Sequence, residues 1–283
     1  MRLKDFKFSY KLLLYNFFSI KKDYFKGLRK LINFPIKYKI YLLKNFFKIG
    51  TLNLDQVNVK NYDFDYLFNK FNSDKAKKVK FKGTISKGHN YSPHYEKHLK
   101  KYKLKKNVHI LEVGSQFGNS AAALLFYFKN SKIVCTDVNP FAMNKFSKRI
   151  RPVYIDTQSE IIIKKLSKYF NKKFDIIIDD GSHNIKDQIV SLKTLFPILK
   201  DGGTYIIEEL NQYKALKSLN PDNEKNTTSE ILKSIQKNKK IKSKYLKKKD
   251  LKYLNKNIKK INFGGGNFIQ NSINISSIAF INK

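Results

Sequence analysis

The chain has 283 residues, 41% of them hydrophobic, and carries 58 Lys and Arg against 22 Asp and Glu, a formal charge of +36. That apolar fraction supports a packed core and excludes global disorder, while a lone Cys135 excludes a disulfide framework or a cysteine-built zinc site and fits a reducing, cytoplasmic setting. The charge points to nucleic acid or an anionic membrane. However, the only arginines are Arg2, Arg29, Arg149 and Arg151, and lysine lacks the planar fork that reads bases and phosphates bidentately. With abundant Asn, Ile, Phe and Tyr and no Trp, the basic character reads first as a lysine-coated surface set by codon bias, then as membrane contact, and last as nucleic-acid recognition.

Residues 1–50 form a basic, aromatic extension. Its apolar run Leu12–Ile20 is interrupted by Asn16 and is too short to span a bilayer, and no small-residue cleavage site follows it. Pro35 is placed to open a helix with Ile36, Ile40, Leu43 and Phe47 on one stripe and Lys37, Lys44 and Lys48 beside it. Two readings stand: a helical cap on the main domain, or an interfacial helix seated on anionic lipid at the inner membrane surface. Residues 51–105 read as a connecting region of short helices centred on "SDKAKKVKFKGTISKGHNYSPHYEKHL".

From residue 106 to the end the pattern is regular. Strands are predicted at 109–114, 132–137, 151–156, 174–180 and 203–209. Helices are predicted at 119–130, 140–148, up to Phe170, at 184–199 and at 228–237, and two last strands at 258–263 and 275–282. Alternating strands and helices imply an α/β fold: a doubly wound, mostly parallel, seven-stranded sheet. Ligands of such sheets bind beyond the carboxyl ends of the strands. The first strand runs into "LEVGSQFGNS", where Gly114 and Gly118 allow a tight turn and close backbone approach before a helix N-terminus. The second strand ends in Asp137, where a ribose-binding carboxylate belongs, and the third in "YIDTQSE", which puts Asp156 and Gln158 near an adenine. For Asp137 taken alone, a helix cap remains open.

Glu112, Gly114 and Gly118 resemble the first motif of class I S-adenosylmethionine-dependent methyltransferases, with Asp137 as the ribose acid. Over about residues 70–283, the combination "SDK…HNY…HYEKHL", "ILEVGSQFG", "DDGSH" and "LKDGGTYIIEEL" is similar to the metal-dependent sugar O-methyltransferases of macrolide-sugar and surface-glycan type. The resemblance implies a Rossmann-like methyltransferase fold, S-adenosylmethionine as cofactor and a sugar, glycan-precursor or glycolipid acceptor. It implies that Tyr91 closes over the cofactor and that Ser115 and Asp179 belong to the cofactor site. Two departures stand out. The relatives often carry Glu-Asp where this chain has Glu208-Glu209, and a Gly-Asp-Gln pattern where it has "DTQSE".

The residues themselves point the same way at the fourth and fifth strands. Asp180 ends one, and Glu208 and Glu209 end the other, and neighbouring strand ends lie about 5 Å apart. Three carboxylates on one rim repel unless a cation sits between them, and hard oxygen ligands select Mg²⁺, Mn²⁺ or Ca²⁺. His183, three residues past Asp180, is placed to act as general base on an acceptor hydroxyl. Tyr213, after the fifth strand, is placed at the acceptor pocket. The competing readings are a helix cap for Asp180 and His183, a nucleic-acid methyltransferase suggested by charge, and a non-catalytic binding protein of this fold. An Asn/Asp-Pro-Pro-Tyr-like motif, typical of base methylases, is missing after the fourth strand.

Overall fold

The computed structural model describes residues 1–19, 24–81, 83–171 and 173–283. The last residue of the Leu12–Ile20 run lies outside them. Seven strands build the central sheet: β1 (His109–Val113), β2 (Lys132–Asp137), β3 (Ile150–Tyr154), β4 (Phe174–Asp179), β5 (Leu199–Ile207), β6 (Lys260–Gly265) and β7 (Ser277–Asn282). Their spatial order is β6-β7-β5-β4-β1-β2-β3. The first five are parallel, and β7 enters antiparallel between β5 and β6. The order reverses between β1 and β4, so a crevice opens above their carboxyl ends.

The middle of the sheet is apolar on both faces because helices cover both. All six residues of β4 are buried, and Ile176, Ile177 and Ile178 pair with β1 on one side and β5 on the other. Burying each such side chain stabilises the fold by about 1.5–3 kcal/mol. Side chains alternate between the faces. Ile176 and Ile178 join the core formed with α3 (Phe64–Lys70), α4 (Ser92–Leu99) and α5 (Asn119–Tyr127). Ile177 joins the core under α6 (Glu160–Phe170) and α7 (Ile185–Leu195). Ala121, Ala122 and Ala123 let α5 lie close to the sheet.

The extension is a helical hairpin of α1 (Leu3–Ser19) and α2 (Tyr24–Phe46). Phe8 stacks on Tyr169 of α6 at 3.9 Å, Phe6 on Tyr38 at 4.2 Å, and Phe34 meets Phe141 edge-on at 4.7 Å. Asp5, fully buried, pairs with Arg151 of β3 at 2.5 Å. Pro35 lies inside α2 and does not open a helix. The outer face of α2 is bare: Phe25, Ile32, Ile36, Ile40 and Leu43 are all exposed, as is Phe47 just past its end.

Three further features depart from the sequence expectation. No helix forms over 140–148. Asp137 instead captures the Asn139 amide at 2.8 Å, and Lys145–Phe146 pairs in parallel with Leu52–Asn53, so tertiary pairing overrides helix propensity. Residues 51–105 include a strand hairpin, Lys78–Phe81 with Thr84–Lys87. After a short turn of helix, α8 (Gln212–Ala215), and the expected α9 (Thr228–Gln236), an unanticipated α10 (Lys248–Asn257) forms. Leu251, Tyr253 and Leu254 seat it on the core, and Asp250 caps it by accepting from the Lys247 amide at 3.0 Å.

Candidate active site

Two adjoining cavities open at the carboxyl ends of β1, β2 and β4. The first, of 320 Å³, is bounded by Gly114, Asp137, Asp156, Gln158, Gly181 and Ser182, with Lys30 of α2 reaching in from above. The second, of 450 Å³, shares Gly114 and takes in Lys75, His89, Glu112, Ser115 and Asp180. Gly114 is dictated by sterics: its φ is +85°, and a Cβ there would lie 1.8 Å from the Asp180 carbonyl oxygen. Gly118, with φ +79°, is the N-cap of α5 and stands back from both cavities.

Each acid of the first cavity is held by the fold. Asp137 accepts from the Gln116 amide at 3.0 Å and the Asn139 amide at 2.8 Å. Asp156 accepts from the Gln158 amide at 3.1 Å and from Asn16 Nδ2 of α1 at 2.9 Å. Asn16 also donates to the Tyr154 hydroxyl at 2.9 Å, so the polar residue that interrupts the apolar run is a tie between hairpin and cavity. Glu112 is buried on the Ile110 face, burial raises its carboxyl, and Oε1 has no partner among the described residues.

Strand alternation separates Asp179 from Asp180. Asp179 follows Ile177 to the α6–α7 face, where the Tyr205 hydroxyl donates to it at 3.2 Å and burial pushes its carboxyl up to about 7. It lines neither cavity and supports Gly181 from below, 3.3 Å from where a Cβ would stand. Asp180 follows Ile178 to the other face. Its Oδ2 lies 2.5 Å from Lys75 Nζ, which also sits 2.8 Å from Glu208 Oε2. Glu208 shares its face with Ile206 and accepts a short hydrogen bond from the Tyr95 hydroxyl. Glu209 then takes a left-handed φ of +53°, which breaks the alternation and turns its carboxylate to the opening.

The result is a cluster of Asp180, His183 and Glu209 whose ligand atoms all lie within 4.8 Å of one another. His183 Nε2 is 3.7 Å from Asp180 and 3.6 Å from Glu209, and His183 is likewise held at a positive φ, +55°. Its Nδ1 is buried without a partner among the described residues. His89 Nε2 lies 3.0 Å from Glu209, with Nδ1 on Ser276 Oγ at 2.9 Å. Burial alone would raise the Glu209 carboxyl, but His183 and His89 outweigh it and hold it at about 2. Burial lowers and the two carboxylates raise Lys75, and the carboxylates prevail, so it stays an ammonium. One ammonium serves two buried acids, and burial leaves the carboxyls of Asp180 and Glu208 raised.

The structure thus brings Gly114, Ser115, Glu112, Asp137, Asp156, Gln158, Asp180, His183 and Glu209 to one crevice. Glu208, expected as a third metal ligand, stands outside this cluster, its carboxylate shared with Lys75 and Tyr95. Tyr91 is fully buried, its ring stacked 5.1 Å from His89, and it lines neither cavity. Tyr213 packs against the core away from both. Lys75, His89, Asn16 and Lys30 are site residues that sequence reasoning missed. Only Lys75 and His89 carried a signal, as part of "SDK…GHNY".

Residues 111–210 match the family model described as "Methyltransferase domain". The chain carries a class I methyltransferase fold. It is similar to demethylmacrocin O-methyltransferase of Streptomyces fradiae, 30% identical over 129 residues, covering 43% of this chain and 32% of the relative. Similarity of the same level extends to mycinamicin VI 2''-O-methyltransferase of Micromonospora griseorubida, 30% identical over 132 residues with the same coverage. The chain spans about a third of the length of these curated relatives. Among solved structures it superposes on the MycE methyltransferase of the mycinamycin biosynthetic pathway in complex with Mg, SAH and mycinamycin VI. The TM-score is 0.57 at 23% identity, over 78% of this chain and 54% of that one.

Proposed function

We propose that this methyltransferase fold transfers a methyl group from S-adenosylmethionine to a hydroxyl of a sugar or glycosylated acceptor, with a divalent cation, Mg²⁺ foremost, assisting. The observation that carries the reading is the Asp180–His183–Glu209 cluster beside a cavity that ends in amide-anchored acids. Relatives named as sugar O-methyltransferases, and a structural neighbour in complex with Mg and SAH, support it.

The residues fit both groups. Only glycine is tolerated at 114, and Asp137 and Asp156 keep carboxylates facing a cavity large enough for a nucleoside. Asp180 and Glu209 offer hard oxygen ligands, and the neighbouring histidines hold the Glu209 carboxyl low. When bound, S-adenosylmethionine supplies an electrophilic methyl, and a divalent cation supplies charge that acidifies a neighbouring hydroxyl. The protein's share is to hold and move the proton. His183 Nε2 accepts it from the acceptor hydroxyl, and Asp180 and Glu209, at 3.7 and 3.6 Å, stabilise the imidazolium. His89 keeps Glu209 oriented, and Lys75 holds Asp180 against Glu208.

The acceptor belongs to glycan biosynthesis, as a glycan precursor or glycolipid, and the enzyme works in the cytoplasm, in peripheral contact with the anionic inner face of the membrane. The exposed stripe of α2, bordered by Lys26, Arg29, Lys37, Lys44 and Lys48, supports the second part. No helix among the described residues is long and apolar enough to cross a membrane. The test is transfer of labelled methyl from S-adenosylmethionine to a panel of sugar nucleotides, lipid-linked glycans and RNA, with and without chelator. Label on a sugar acceptor, silenced by chelation and restored by Mg²⁺ or Mn²⁺, is expected. Full turnover by verified metal-free enzyme, or label on RNA alone, overturns the reading.

A further inference from the structure

At the opposite edge of the sheet, where β1, β2, β3 and β4 begin, lies a cavity of 420 Å³ with eleven lining residues. Six of them are cations: Arg2, Lys132, Lys148, Arg149, Arg151 and Lys173. Lys and Arg make up 58 of 283 residues, so a lysine-coated surface would place only about two in a set of eleven, too few to build such a field. Three of the chain's four arginines meet here. In a sequence that otherwise uses lysine, that concentration marks a place where a fixed, planar cation is required.

Part of the requirement is internal. Arg149 Nη1 donates to the carbonyls of Leu125, Phe128 and Lys129, at 3.2, 3.4 and 2.7 Å, and so caps the end of α5. Arg2 Nη2 donates to the Lys148 carbonyl at 2.8 Å, and Arg151 pairs with Asp5. Carbonyls orient a guanidinium but do not neutralise it. Among the described residues only Arg151 of the three forms an ion pair, no Asp or Glu lines the cavity, and the nearby Asp175 is engaged by Lys105 and Lys200. Two guanidiniums thus keep donors to spare without a carboxylate in contact, Asp55 attracting Arg149 only from beyond ion-pair distance, beside three exposed lysines. Phe170 and Phe174 give the cavity an apolar wall. A preorganised group of cations loses little entropy on engaging an anion.

We infer that this cavity is a second ligand site, for a diphosphate-bearing anion, on the edge of the sheet opposite the methyl-transfer crevice. Several like charges that repel in the free protein are neutralised by adjacent phosphate groups, and Arg2 and Arg149 bind two of their oxygens. The volume falls within the range of small-ligand sites, about 300–1,000 Å³. Inorganic pyrophosphate and the diphosphate of a nucleotide share this chemistry, and the phenylalanine wall favours the nucleotide.

The test is calorimetry of the full chain with pyrophosphate, UDP and sulfate in 150 mM salt, because a protein of charge +36 attracts any polyanion at low salt. The double variant K132E/K173E removes charge at the rim without touching Arg149 or Arg151. K239E/K240E, far along the chain in an exposed loop after α9, changes net charge equally. One diphosphate per chain is expected, with sulfate weaker by at least tenfold. K132E/K173E should weaken diphosphate tenfold or more, and K239E/K240E less than twofold. Tighter UDP than pyrophosphate assigns the nucleotide, and equal affinity assigns free diphosphate. Equal losses in the two variants, or stoichiometry well above one, overturn the proposal in favour of diffuse surface attraction. S-adenosylhomocysteine affinity, read at the far edge of the sheet, reports that K132E/K173E is folded.

Discussion

Replacing Lys75 with Met tests the electrostatics of the candidate site most directly. The side chain is 1% exposed and sits 2.5 Å from Asp180 and 2.8 Å from Glu208. At those separations and an effective dielectric near 20, each pair attracts by about 6 kcal/mol before desolvation is charged against it. Dehydrating a lysine ammonium takes back most of that. What remains on breaking a buried pair from one side is about 3–5 kcal/mol, because the carboxylates stay behind uncompensated. Met preserves the stem's volume, so Lys75→Met should lose about that much stability at neutral pH. The loss should depend on pH. Burial already raises the carboxyls of Asp180 and Glu208, and without the ammonium they rise further. A carboxyl whose folded pKa exceeds its unfolded value binds its proton more tightly in the fold. It therefore favours the fold at acid pH and ceases to as pH rises through the folded pKa. The deficit of Lys75→Met should thus be smaller at pH 5 than at pH 7.5. Urea unfolding followed by circular dichroism measures this, since the chain has no Trp to report by fluorescence. Adding Glu208→Gln to the variant should recover part of the loss. A deficit under about 1 kcal/mol at both pH values, or a double variant weaker than the single, would refute a charged Lys75 bridge.

Gly114→Ala should cut S-adenosylhomocysteine affinity sharply, since its Cβ would stand 1.8 Å from the Asp180 carbonyl oxygen. Asp137→Ala should cost roughly tenfold or more, the worth of a charged hydrogen bond, and calorimetry that finds neither change contradicts the cofactor assignment. His183→Ala should bind cofactor normally yet turn over about 10²–10⁴-fold more slowly, recovering partly as pH rises and solvent hydroxide takes the proton. Asp180→Asn should lose metal-dependent turnover with cofactor affinity nearly intact, and full activity in both variants would return this segment to the role of a helix cap. On vesicles containing phosphatidylglycerol, the intact chain should float at low salt and sink at high salt. Serine at Ile32, Ile36, Leu43 and Phe47 should abolish flotation, and unchanged flotation would leave α2 as a packed cap.

The sheet was legible because its signals are local. Apolar β-branched runs ended by acids mark strands that stop at a polar edge: the strand expected at 132–137 forms with those bounds, and the one expected at 174–180 ends one residue earlier, at Asp179. Strand alternation also contained the fate of Glu208, two residues past Ile206 and hence on the same face, towards Tyr95. Counting only that three acids end adjacent strands missed this. Glu209 escapes the rule through a left-handed backbone that no sequence period announces. Lys75 and Asn16 were not legible for another reason. Their partners lie 105 and 140 residues away, and one lysine among 58 basic residues carries no mark of burial. The helix expected at 140–148 failed because Lys145–Phe146 finds a strand partner in Leu52–Asn53, again far along the chain.

In so basic a chain, the scarce residue types are the informative ones. Lysine is tolerated almost anywhere on a wet surface, so its position says little. Acids number 22 and arginines four, and both are placed. Asp137, Asp156, Asp180, Glu208 and Glu209 gather at the carboxyl edge of the sheet, and Arg2, Arg149 and Arg151 at the amino edge. A parallel sheet has little net dipole of its own to impose this division, so the side chains must create it. At one edge a single buried ammonium, Lys75, faces Asp180 and Glu208 and neutralises only part of the acids' charge. At the other edge Asp5 pairs with Arg151, and Asp175 with Lys105 and Lys200, yet the cations lining the cavity outnumber the acids beside it. Each edge keeps an excess of one sign after its internal pairs are counted, and an excess held on a rigid scaffold favours a ligand of the opposite sign.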